Sequence, residues 1–148
     1  VDFEKSFLRL CDSLKRKLSS SKSDWNLYQL KSIFSEFMML PSAYVQARDE
    51  KGVFKKYSFA EMRKDFNDEE FAVMDEVSNI RLSWIYDLTE KQSKYFERLD
   101  FLSWKGRQTI ELETPVFIEM SMNNGVFSRM NNFTALVKHT IVNRKGHV

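Results

Sequence analysis

The sequence predicts an all-α protein, an irregular bundle of five or six helices, and three observations carry that prediction. Only Pro41, Gly52, Gly106, Pro115, Gly125 and Gly146 are Gly or Pro, and residues 1 to 40 and 53 to 105 contain neither. These two residue types are the strongest local breakers of regular structure, so runs this long without them favour helices. Apolar residues also recur at three- and four-residue spacings along most of the chain, the period of one helix face. Finally, 148 residues with 43% hydrophobic side chains and thirteen Phe suffice for one domain with its own core, unaided by disulfides or metal.

The first helix is expected at about 3–19, where Phe3, Phe7, Cys11, Leu14 and Leu18 form one stripe. Asp2 is placed to cap it, and Lys15, Arg16 and Lys17 crowd the last turn, where positive charge suits the helix dipole. The serine-rich run at 19–23 reads as a loop, and Asp24 as the cap of a second helix. Trp25, Tyr28, Ile33, Phe34, Phe37 and Met38 give that helix a wide apolar face, ended or bent at Pro41. Two readings fit residues 42–57. One is a hairpin over 44–57 around Gly52; the other is a resumed helix capped at Gly52. The helix is preferred, because an isolated two-stranded hairpin is marginal.

Ser58 and Glu61 have capping-box spacing and predict a short helix at about 59–66. Asn67-Asp68-Glu69-Glu70 reads as the start of another, continued by Phe71, Met74, Val77, Ile80, Trp84, Ile85 and Leu88. As one helix, residues 68 to 103 would span about 50 Å. A compact domain of this length has a radius of gyration of about 15 Å, so a turn is expected near Thr89-Glu90-Lys91-Gln92, with a single continuous helix from 68 to 103 as the alternative. Thr109 to Thr114 alternates like a short strand, near 108–113. Thr114-Pro115 then reads as a cap followed by Pro at the first helical position. Ile118, Met122, Val126, Met130, Phe133, Val137 and Ile141 keep helical spacing, predicting helices at about 115–123 and 126–142 with a break at Gly125. The expected core is Phe7, Phe34, Phe37, Met38, Met74, Ile80, Trp84, Leu88, Phe133 and Val137.

Composition narrows function by exclusion. The single cysteine, Cys11, cannot form an internal disulfide, rules out a Cys-built zinc site and favours a reducing, cytoplasmic setting. Its place on an apolar stripe reads as a buried inert thiol. No apolar stretch approaches the roughly 18 residues that span a bilayer, so no membrane partner is expected. The first residues do not form a signal peptide, and a chain beginning with Val is compatible with processing or with excision from a longer protein. The glycines stand too far apart for a phosphate-cradling loop, and no cofactor is implied. His139 and His147 read as surface residues.

Charge is unevenly laid out. Residues 1–64 carry a net +5, residues 65–101 a net −6 and residues 102–148 a net +3. The acidic middle is expected to answer the basic flanks within one folded unit. Arg81 stands out, since it shares the stripe of Val77 and Trp84. A guanidinium there must either pair with a carboxylate such as Glu36, reach the surface along its stem, or hold an anion. Basic clusters occur at Lys15, Arg16 and Lys17, at Lys55 and Lys56, at Arg63 and Lys64, at Lys105 and Arg107, and at Arg144 and Lys145. With Phe54, Tyr57 and Trp104 beside them, they admit nucleic-acid binding by charge and stacking. The preferred expectation is a non-catalytic helical module for interaction or oligomerisation, its partner a protein, either a second copy or a different chain. It rests on wide apolar helix faces without any catalytic constellation.

Overall fold

The computed structural model describes residues 2–20, 25, 27–86, 89–91, 93–94 and 114–145. The fold is all-α, and no strand occurs among the described residues. Among the described residues run the helices α1 (Phe3–Ser19), α2 (Leu27–Phe37), α3 (Leu40–Asp49), α4 (Lys55–Arg63), α5 (Asp68–Tyr86), α6 (Val116–Asn123) and α7 (Val126–Lys145).

α1 forms as its capping and periodicity require. The Asp2 carboxylate accepts from the Lys5 amide at 2.9 Å, and Phe7, Cys11, Leu14 and Leu18 are buried. α2 buries Leu27, Leu30, Ile33, Phe34 and Phe37, whereas Tyr28 and Met38 are only partly covered. A tight turn, with the Met39 amide on the Glu36 carbonyl, leads into α3. Pro41 sits in the first turn of α3, where its missing N–H costs nothing.

No hairpin forms at 44–57. The resumed helix does form, but it stops at Asp49 rather than at Gly52, with Glu50 in the left-handed region at φ 56°. That conformation costs a residue with a side chain on the order of 1 kcal/mol. The early stop lets the chain turn into α4, which packs along α3. α4 also begins earlier than the expected 59–66. Ser58 lies inside it, 1% exposed, its hydroxyl turned to the Phe54 carbonyl instead of capping. The capping box belongs to the next helix. The Glu70 amide donates to Asn67 Oδ1 at 2.7 Å and the Asn67 amide to Glu70 Oε1 at 2.9 Å, fixing the start of α5.

Pro115 itself is the N-cap of α6, one residue later than the Thr114 cap expected, because its carbonyl accepts the first helical bonds from Ile118 and Glu119. Asn124-Gly125 makes no hairpin. Gly125, at φ +77°, is the break between α6 and α7. The expected Asp24 cap, the strand near 108–113, Leu88 and the stretch from 95 to 103 lie outside the described residues.

α1 and α7 pack together at the centre, α1 also against α3, and α5 against α7 and α2. Buried residues from each of these helices form one cluster. Within it Phe133 gathers the rings of Phe37, Phe66 and Phe71 at 6.3, 5.3 and 6.1 Å between centroids. A second aromatic group joins Phe34 to Trp84 at 6.3 Å and Trp84 to Phe117 at 5.5 Å. All but the tilted Phe34–Trp84 pair meet edge-on, and aromatic pairs in such geometry contribute about 0.5–1.5 kcal/mol each beyond area burial.

Candidate functional site

Two polar and apolar features share the end of the bundle built by α3 and α4. The first is an ion-pair network on Arg48. Its side chain is 10% exposed and forks onto Asp49 at 2.8 and 3.0 Å, Glu61 at 2.9 Å and Asp65 at 3.0 Å, with the Glu61 carbonyl at 3.4 Å. The Tyr44 hydroxyl, on a fully buried ring, donates to Asp65 at 2.7 Å, and Arg144 of α7 reaches the same carboxylate at 3.9 Å. The network locks α3, α4 and α7 together. Its titration follows its geometry. Asp49 is held below the usual carboxylate range by its bonds from Arg48, and Glu61 by Lys64 and then Arg48. Burial, aided by the bond to Asp65, pushes the Tyr44 phenol up.

The second feature is a groove of about 320 Å³ between α1 and α3, lined by Phe3, Ser6, Leu10, Met39, Ser42, Ala43, Gln46 and Lys55. Small side chains at the helix crossing leave the space open. Much of its polar lining is turned onto the protein itself. The Ser42 hydroxyl donates to Ser58 Oγ at 3.2 Å, and the Gln46 amide donates to the Ser42 carbonyl at 3.1 Å. Met39 of the groove lining is 54% exposed, and on either side of Lys55 in sequence two further large apolar side chains stand in water, Phe54 at 77% exposure and Tyr57 at 54%. Phe54 and Tyr57 meet edge-on, with centroids 6.3 Å apart.

The charges here are set against local preference. Lys55 and Lys56 open α4, whose first turn carries no acidic residue. Positive charge at a helix N-terminus is disfavoured by about 0.3–1 kcal/mol per residue. Among the described residues neither lysine holds a carboxylate, and Lys56 lies over the Tyr57 ring at 5.0 Å.

The other expected site residues are dispersed. Arg81 is exposed, and Glu36 accepts instead from the Ser13 hydroxyl and from Lys17, both at 2.6 Å. The covered face at that end of α5 runs through Ile80 and Trp84, which pack inward while Arg81 and Leu82 face solvent. Lys17, Arg63, Lys64 and Arg144 lie near carboxylates of Glu36, Asp75, Glu61 and Asp65. Arg63 also lies over the Phe71 ring at 4.6 Å. Lys15 and Arg16 are exposed on α1, Lys145 ends α7, and Lys105 and Arg107 lie outside the described residues. The acidic middle does answer the flanks, through Arg48 and Arg144 on Asp65, Arg63 on Asp75 and Arg129 on Glu76.

His139 is exposed beside Asn143 at 2.6 Å. Burial pushes the Cys11 thiol up to about 12, the wrong direction for a nucleophile at neutral pH. Among the described residues no three His, Cys, Asp or Glu side chains converge to hold a metal, and no helix is long and apolar enough to cross a membrane. Sequence reading missed Arg48, because nothing local marks one arginine of a helix as the hub of three carboxylates. It noticed Phe54 and Tyr57 only as neighbours of lysines. Compared with known proteins, the chain matches no family model, no curated protein and no solved structure.

Proposed function

We propose that this chain is a non-catalytic helical module that docks another protein through the face made by α1, α3 and the start of α4. One observation carries the reading: Met39 in the lining of an apolar groove, and Phe54 and Tyr57 flanking its lining residue Lys55 in sequence, all stand largely exposed. Scattered exposed apolar residues are ordinary, but large ones gathered at a groove mark interaction sites. Aromatic residues and Met are the types enriched where proteins bind one another. The Arg48 network supports the reading from behind, since it holds α3 and α4 in fixed relation under the face.

Nucleic-acid binding draws less support. Four of the basic residues that would serve it lie against carboxylates of their own chain, and the other described ones are spread over α1, α4 and α7. Affinity for DNA or RNA that falls steeply with salt would bring it forward.

The test is site-specific photo-crosslinking in the source cells. A benzophenone side chain is placed at position 54 or 39, with the exposed position 81 of α5 as control. The expected result is one protein captured from 54 and 39 but not from 81, and rebound by the purified chain. Equal capture from all three positions, or none from any, refutes docking at this face.

A further inference from the structure

The structure assigns the groove between α1 and α3 a particular occupant: an acidic amphipathic helix of another protein, its apolar stripe in the groove and its carboxylates on Lys55 and Lys56. This rests on the docking reading above and adds the chemistry of the partner. The groove offers Phe3, Leu10, Met39 and Ala43 to an apolar stripe, and its single charged lining residue is Lys55. A helix laid in a groove between two helices is a recurring recognition mode, anchored at i, i+3, i+4 and i+7.

The charge pattern selects the sign of the partner. Lys55 and Lys56 occupy the helix end that repels them, and no described carboxylate of this chain answers either one. Local rules broken without internal compensation are expected at functional sites. The missing anion is therefore supplied from outside. A second copy of the chain is a poorer fit, because a two-fold interface presents the same patch from both sides and brings two basic rims together. A carboxylate-bearing helix meets them with opposite charge.

The experiment uses the ¹⁵N-labelled chain and two synthetic peptides of about 18 residues, long enough to be helical on binding. Both carry Leu at i, i+3, i+4 and i+7; one has Glu at the remaining positions and the other Lys. The acidic peptide is expected to shift the amide signals of Ser6, Ala43, Gln46 and Lys55. The basic peptide is expected to bind about tenfold or more weakly at low salt, with the gap narrowing as salt screens the charges. The double variant Lys55→Glu/Lys56→Glu should reverse that preference. It should also fold at least as well, since acidic residues suit the start of α4. Ser6→Trp, at an exposed position of the groove wall, should abolish the shifts without changing the melting temperature.

Equal binding of both peptides in the groove, unmoved by the charge swap, overturns the acidic partner and leaves docking at this face intact. No shift at these amides with the acidic peptide also overturns it, while the crosslinking result judges the docking reading separately. Shifts that follow protein concentration alone assign the groove to a second copy and overturn the inference.

Discussion

Replacing Arg48 with Met removes the charge at the centre of the α3–α4–α7 network while keeping most of the apolar stem. Removing one partner of a fully buried ion pair costs about 3–5 kcal/mol, and removing one from an exposed pair costs about 0–1 kcal/mol. Arg48 itself is nearly covered, but Asp49, Glu61 and Asp65 keep 31%, 35% and 28% side-chain exposure and can rehydrate. The loss should fall between those limits, at about 2 kcal/mol. For a domain of this size that lowers the melting temperature by about 4–8 °C. Arg48→Lys should recover only part of it, because one ammonium cannot fork onto three carboxylates.

The pH dependence separates this account from simple loss of packing. Asp49 and Glu61 are held below the ordinary carboxylate range by their cationic partners. In acid the unfolded chain therefore binds protons that the folded chain refuses. The contribution is fully present above about pH 5 and lost as pH falls through the depressed values. Urea denaturation of both proteins at pH 7 and near pH 3 is the assay. The gap between wild type and Arg48→Met should be about 2 kcal/mol at neutral pH and shrink in acid. A gap under about 0.5 kcal/mol at pH 7, the scatter of ordinary surface changes, refutes the reasoning. So does a gap that is the same at both pH values.

Two further outcomes follow from the fold. Asn67→Ala should cost about 1 kcal/mol by removing the reciprocal cap of α5, and Asn67→Asp should keep it; thermal unfolding of the pair decides, equal losses counting against the capping box. Cys11, 1% exposed and with its thiol pushed up to about 12, should resist a thiol reagent at pH 8 in the folded protein and react fully in denaturant; rapid native labelling would contradict its burial.

Much of the local architecture was legible before any coordinates. Asp2 capping α1, the stripe from Phe7 to Leu18, Pro41 near the start of α3 and the break at Gly125 are decided by backbone chemistry within a few residues. The helix stripes named most of the core for the same reason, because a period near 3.6 places one set of side chains on one face. Errors at helix ends arose where two local signals competed. Ser58 and Asn67 both offer a cap with an acidic residue three positions on, and only packing turned Ser58 inward and left Asn67 at a helix start.

Relations between helices were a different matter. Periodicity placed Arg81 on an apolar stripe, yet a stripe is buried only where another helix covers it, and the cover on α5 passes along Ile80 and Trp84. Glu36 found Lys17 and Ser13 because α2 crosses α1 there. Arg48 meets Glu61 and Asp65, thirteen and seventeen residues along the chain, only after α3 and α4 have packed. The candidate surface has the same origin. Phe54 and Tyr57 drew notice in one dimension only as aromatics beside lysines, and tertiary packing left them in water at the start of α4. Sequence alone determined that the chain is helical and where most apolar faces and breaks fall, because those preferences act over a few residues. Tertiary structure decided which faces are covered and which charges meet, because those depend on where distant segments come to rest.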